Sequence, residues 1–263
     1  MALYLALNIG GKYRITTREY EVTDARIHDS IRICVVSDLH NASYGSGQAD
    51  LLSAIDNASP DVVLLLGDLF DQYGESRSTI TLLNALSDRY SCYYILGNHE
   101  YKTGRIATIR ALIHQAGIPI LAGDSALIAK GETKIRIFGI DDGRGGKQKQ
   151  LYQIQEAAKQ RNPSEFSILA IHVPNGVESY LGYKFDLMLS GHTHGGQIIL
   201  PGLFNGLYAP GQGFFPKYGG GRYQLGETTL IISRGLSRKP IWLPRIFNPP
   251  ELTVVTLTPI CVN

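Results

Sequence analysis

Seven side chains able to hold a divalent cation stand in five short polar clusters of this sequence. They are Asp38 and His40 in Asp-Leu-His, Asp68 in Gly-Asp-Leu-Phe-Asp, Asn98 in Gly-Asn-His-Glu, the lone His172, and His192 and His194 in Gly-His-Thr-His. Carboxylate, imidazole and one amide oxygen, with no thiolate among them, suit a hard or borderline metal such as Mn, Fe or Zn and exclude zinc-finger chemistry. In the first and last clusters the two ligands sit at i and i+2. In an extended segment that spacing points both the same way, so each pair can grip one ion or two neighbours. The glycine ahead of Asp68, Asn98 and His192 predicts a backbone turn that other residues adopt poorly. Of seven histidines only His28 and His114 fall outside these clusters, and both are expected in structural or solvent roles.

Each cluster follows an apolar run. The runs at 31–36, 62–66, 92–96, 167–171 and 186–189 read as buried strands, as does 135–140. Helix-like stretches at 48–58, 78–88, 105–116 and 151–160 are spaced as βα units require. In α/β sheets, ligands gather at the carboxyl ends of strands, so clusters far apart in sequence can converge on one pocket. After Gly195 the texture changes to short strands and Gly/Pro-rich turns, with a last strand at 252–257, and antiparallel β-structure is expected there. No linker, charge block or internal repeat divides the chain. The expectation is one domain over 1–263 with its core at about 30–257.

A length of 263 residues fits a single large core. Hydrophobic residues at 44% and charged residues at 18% exclude a disordered or fibrous chain. A net charge of +2 with no long run of one sign argues against a nucleic acid as obligatory partner. Cys34, Cys92 and Cys261 form no Cys-x-x-Cys and are expected as buried thiols. The opening Met-Ala-Leu-Tyr-Leu-Ala-Leu run is too short to span a bilayer and lacks a positive flank and a cleavage site. As given, the chain reads as cytoplasmic, with membrane association expected if a native anchor precedes it.

The series Asp-Leu-His, Gly-Asp-Leu-Phe-Asp, Gly-Asn-His-Glu, a lone His after a strand and Gly-His-Thr-His resembles the calcineurin-like metallophosphoesterase superfamily. The segments GHTHGGQIILPG, and SRG followed by RIFNPPEL, resemble its YaeI/YkuE-type branch of bacterial phosphodiesterases, and the likeness covers roughly 20–257. This resemblance implies an α/β fold built as a four-layer α/β/β/α sandwich with two mixed sheets. It implies two divalent ions, one on Asp38, His40, Asp68 and His194 and the other on Asp68, Asn98, His172 and His192, with Asp68 bridging. Two ions about 3.5–4 Å apart polarise a phosphoryl oxygen and make a nucleophile of a bridging water. His99, next to a ligand and directed away from it, resembles the family's general acid, worth about 10²–10⁴ in rate. Asp71 would orient it, the alternative being a helix N-cap.

The activity implied is that of a phosphodiesterase or pyrophosphatase. A phosphomonoesterase, a phosphoprotein phosphatase or a nuclease would need a peptide groove or basic track that the sequence does not display, and a non-catalytic scaffold would have lost ligands. Some relatives act on lipid precursors such as UDP-diacylglucosamine. The stretch 200–223 carries Phe204, Tyr208, Phe214, Phe215 and Tyr218 among glycines. It is expected to be a hairpin packing its own aromatics. The alternative is a hydrophobic rim suited to a lipid-linked phosphate or to peripheral membrane contact. Arg144 and Arg234 are expected in surface or structural roles rather than on substrate phosphate.

Overall fold

A computed structural model of the chain describes residues 14–141, 146–238 and 242–260. The opening apolar run, Arg144 and Cys261 lie outside the described residues.

The first sheet holds β1 (Thr16–Asp24), β2 (Ile31–Val36), β3 (Val62–Leu66), β4 (Ser91–Ile95) and β13 (Glu251–Pro259), in the order β1-β13-β2-β3-β4. The second holds β5 (Ser125–Lys130), β6 (Thr133–Ile140), β7 (Phe166–Ile171), β8 (Leu187–Ser190), β11 (Gly221–Leu225) and β12 (Thr228–Ile232), in the order β11-β12-β8-β7-β6-β5. Both sheets are mixed. Strands β2, β3 and β4 run parallel, β13 is antiparallel to β2, and β6, β7 and β8 run parallel between antiparallel edge pairs.

Continuous apolar strands are what burial on both faces demands. Alternate residues of β2 and β3 supply two different cores: Ile33, Val35, Leu64 and Leu66 face the layer shared with the second sheet, where they meet Ile137, Ile168 and Leu189. Cys34, Val36, Val63 and Leu65 face the other way, toward Leu51 and Ile55 of α1 (Ala49–Ala58), Leu82 and Leu86 of α2 (Arg77–Ser87), and Ile113 of α4 (Ile106–Gln115). On the far side of the second sheet, Leu169, Ile171 and Ile232 pack on Ile154 and Ala157 of α5 (Gly146–Lys159). The result is the expected α/β/β/α sandwich with two mixed sheets. A short helix, α3 (Asn98–Lys102), follows β4 directly. Among the described residues no helix is long and apolar enough to cross a membrane.

The region after Gly195 departs from the antiparallel expectation. A two-residue hairpin, β9 (Tyr208–Ala209) with β10 (Gly213–Phe214), and the β11–β12 pair are antiparallel. However, β12 lies parallel to β8, and β13 inserts between β1 and β2, parallel to the first and antiparallel to the second. Each of these strands has a partner distant in sequence, which a local reading of turns does not see. Cys34 and Cys92 are buried free thiols as expected, and His28 and His114 are exposed away from the clusters.

Candidate metal centre

The five clusters leave the carboxyl ends of β2, β3 and β4 in one sheet and of β7 and β8 in the other, so the site straddles the shared edge of the sandwich. Loop backbone holds the register beyond the strands: Asp38 N–H donates to Gly67 C=O, and His40 N–H to Asp68 C=O, each at 3.0 Å. His192 N–H donates to the Asp38 carboxylate at 3.0 Å, which joins the second sheet's loop to the first's.

The site side chains do not converge through extended backbone. Asp38, His40, Asp68, His192 and His194 all have φ between 49° and 72°, in the left-handed region that costs non-glycine residues energy and clusters at functional sites. The i, i+2 pairs meet by tight curling of the chain. The glycines act differently from expectation too. Gly67 takes the expected turn, with φ 74°, but Gly97 is extended at φ −97°. A side chain at Gly97 would collide with the Asp68 carboxylate, and one at Gly191 with Ser37 and Asp38. Those two glycines serve close approach.

Among the described residues three groups of potential ligands form, each with its ligand atoms within 4.8 Å of one another: Asp38, His40 and His194; Asp68, His172 and His192; and, sharing His40 with the first, His40, Asp71 and His99. Asp68 Oδ2 is 3.0 Å from His172 Nε2 and 3.9 Å from His40 Nε2, and Asp38 Oδ1 is 3.5 Å from His194 Nε2. Asp38, Asp68 and His172 are at most 1% exposed. His40 Nε2 and Asn98 Oδ1 are buried without a hydrogen-bond partner, an arrangement that is costly unless a cation or another group satisfies them. His172 Nδ1 donates to Leu66 C=O at 2.8 Å, which turns Nε2 toward the cluster as a ligand lone pair. These donor atoms fit divalent metals.

Electrostatics agree with that fit. Asp68 is buried, which opposes ionisation, but His172 and His40 hold its carboxyl well below the usual range. Burial pushes His192 down to about 3 and His194 well below its ordinary value. Both imidazoles are thereby neutral and able to ligate. Burial also works to lower His40, yet Asp71, Asp68 and Asp38 together raise it.

His99 lies on α3 and meets His40 edge to face, ring centroids 4.5 Å apart, while its backbone N–H donates to Asp68 Oδ1 at 2.7 Å. Its Nδ1 is 3.4 Å from Asp71 Oδ1. Asp71 is not a helix cap, because the N-cap of α2 is Ser76, five residues later. Burial lowers the pKa of His99, partly offset by Asp68. The cleft that exposes these groups measures about 390 Å³ and is also lined by Tyr73, Lys102, Pro210 and Ser237. Arg234 does not line it. Its Nη2 donates to Asn205 and its Nε faces Glu251 at 3.8 Å, in the structural role expected.

Two residues that carry the site escaped the sequence reading. Lys102 is an ordinary lysine at the end of a short helix until α3 is seen to border the cleft. Glu100 stands in the sequence only as the last residue of Gly-Asn-His-Glu. Fully buried, it accepts hydrogen bonds from the backbone N–H groups of Asp68, Leu69, Phe70 and Gly97 at 2.8–3.1 Å, and from Tyr94 Oη at 2.8 Å. It thus clamps the two loops that carry Asp68 and Asn98. Its burial was the missing signal.

A family model described as calcineurin-like phosphoesterase matches residues 31–196. The uncharacterized metallophosphoesterase YkuE of Bacillus subtilis is 30% identical, over 96% of this chain and 92% of its own length. The uncharacterized metallophosphoesterase Cj0846 of Campylobacter jejuni is 32% identical over 92% of this chain, which spans only 64% of that protein. Phosphodiesterase YaeI of Escherichia coli is 27% identical over 86% of this chain and 82% of its own length. A dimetal phosphatase from Danio rerio shares the fold, with a TM-score of 0.53 at 14% identity over 80% of this chain and 89% of that one.

Proposed function

The chain belongs to the calcineurin-like phosphoesterase family, in the branch of YkuE and YaeI, and we propose that it hydrolyses phosphodiester or pyrophosphate bonds with two divalent ions held in the cleft. The observation that carries this reading is the pair of ligand groups flanking one carboxylate. Asp38, His40 and His194 would hold one ion; His172, His192 and Asn98 would hold the other. The distances of Asp68 to His172 and to His40, 3.0 Å and 3.9 Å, support its serving both. Mn, Fe or Zn suits this ligand set.

When bound, the ions polarise a phosphoryl oxygen and lower the pKa of water. The protein's own part is positioning and proton transfer. Lys102 offers a cation to substrate phosphate at the mouth of the cleft. His99 delivers a proton from its imidazole to the leaving oxygen, and Asp71, at 3.4 Å from Nδ1, fixes the ring and favours its protonated form.

The test compares hydrolysis of bis-p-nitrophenyl phosphate with that of p-nitrophenyl phosphate in Mn²⁺, Mg²⁺, Zn²⁺ and Ca²⁺. Metal-dependent turnover with preference for the diester is expected. Absence of turnover of either ester with every ion would overturn the enzymatic reading, and preference for the monoester would overturn its diesterase part.

A further inference from the structure

Large hydrophobic side chains that stand out to solvent are unevenly distributed over this molecule. Of ten such residues among the described ones, four belong to one excursion of the chain, Leu200, Leu203, Phe214 and Phe215, and a fifth, Trp242, packs against it. Leu203 is 76% exposed, Phe215 64%, Phe214 60% and Trp242 57%. Their rings meet edge to face in clusters rather than standing as scattered points. Phe204 packs on Phe215 with centroids 5.4 Å apart, and Tyr208, Phe214 and Trp242 pack mutually at 5.3–6.2 Å. The hairpin thus does pack its own aromatics, as expected, yet it leaves Phe214 and Phe215 facing water. Trp242 joins them from 28 residues beyond Phe214, which no local reading could anticipate.

The same excursion touches two other features. Pro210, between β9 and β10, lines the metal cleft. Leu203 and Phe204 wall a depression of about 530 Å³ whose polar side is Arg18 and Arg234. Both guanidinium groups face the single buried carboxylate of Glu251, at 3.3 Å and 3.8 Å, so one positive charge there is left without an acidic counterpart in those ion pairs. Exposed Trp, Phe and Leu next to uncompensated arginine is the composition of a bilayer-interface contact. Amphipathic rings sit at headgroup depth, and cations meet lipid phosphate.

We propose that this surface docks the chain on a bilayer containing anionic lipid, with Leu203, Phe214 and Trp242 entering the headgroup–acyl boundary and Arg18 meeting lipid phosphate beside the metal cleft. The proposal deepens the phosphodiesterase reading by naming the surface on which a lipid-linked phosphate is met, and to that extent rests on it. Docking itself requires no turnover.

The test is co-sedimentation of the full chain with large vesicles of phosphatidylcholine alone and of phosphatidylcholine mixed with phosphatidylglycerol. The chain is expected to pellet with the anionic vesicles, less with the neutral ones, and less as salt is raised. Leu203→Ser/Phe214→Ser/Trp242→Ser should weaken pelleting about tenfold or more, and Arg18→Ala should lower anionic binding toward the neutral level. Hydrolysis of soluble bis-p-nitrophenyl phosphate should be equal in the triple variant and the parent, which also reports that the variant folds. Failure of the parent to pellet with either vesicle, or undiminished pelleting of the triple variant, would overturn the proposal. So would a finding that the triple substitution converts a dimer to a monomer while vesicles pellet neither protein. If neither protein hydrolyses the soluble ester while vesicle binding behaves as expected, the hydrolase reading fails and docking stands.

Discussion

Asp71 holds His99 with one carboxylate oxygen, 3.4 Å from Nδ1, and reaches toward the Nδ1 of His40, 3.7 Å away, with the other. A single acid thereby couples the proposed proton donor to a proposed ligand. Burial is the largest influence depressing His99, with Asp68 and Asp71 acting to raise it against the further lowering by His40 and Lys102. Proton donation by His99 consequently depends on the acids around it.

His99→Asn should lose about 10²–10⁴ in kcat while metal content is unchanged, if the proposed role of its ring as proton donor rather than ligand holds. Asp71→Asn should lose less and should move the pH profile. With Asp71 neutralised the His99 pKa falls further, so the rate lost as pH rises through that pKa is lost at a lower pH. A pH–kcat/KM profile of the three proteins with metal analysis of each checks both. Parental turnover in His99→Asn would remove its assigned role.

Asp68→Asn should lose both metal and activity. The carboxylate is buried and kept ionised by His172 and His40, and an amide there supplies no charge to offset two cations. Inductively coupled plasma analysis of protein loaded with Mn²⁺ and desalted is expected to give markedly fewer ions per chain than the parent. Full occupancy would show that Asp68 does not bridge.

Glu100→Gln should destabilise the fold. Four backbone N–H groups converge on this carboxylate, and a glutamine would offer one oxygen and turn an NH₂ toward donors. A buried donor left unpaired costs about 1–3 kcal/mol, which for a chain of this size corresponds to a fall in Tm of roughly 2–12 °C. Because the clamp joins the Asp68 and Asn98 loops, apparent metal affinity should fall with it. Differential scanning calorimetry with and without Mn²⁺ measures both. A Tm within one degree or so of the parent would mean the loops hold their shape without it.

The parts of this molecule legible in the sequence are those written locally. Strands β2 and β3 read correctly to the residue because burial on both faces forces an unbroken apolar run, and the ligands stood out because polar residues end such runs abruptly. Strand β1 escaped because only one of its nine residues is buried, so it carries no strong pattern. The left-handed curl of Asp38 and His40 escaped because Asp and His, although more tolerant of positive φ than most residues, adopt it in only a small minority of positions. Glu100 and Trp242 escaped because what each does depends on groups brought to it from elsewhere in the chain.

Acid should destabilise the metal-free protein between about pH 6.5 and pH 4.5, and the sign follows from the buried imidazoles. His192, pushed to about 3, and His194, held well below its ordinary value, stay neutral in the fold, and His99, also lowered, takes its proton later than the unfolded chain's histidines do. The unfolded state then holds more protons, so unfolding free energy falls as pH falls through 6.5. His40 and Glu100, both raised, act oppositely: their contribution is present at low pH and is lost as pH rises through their folded values. Near pH 5.5 His40 is protonated in both states and drops out, which leaves three histidines against one glutamate. The chelated protein should therefore show a falling Tm from pH 7 to pH 5. Added Mn²⁺, which binds only the deprotonated ligands of the fold, should raise Tm at pH 7 by mass action and much less at pH 5. A Tm that is flat over this range without metal would mean the three imidazoles titrate normally in the folded chain.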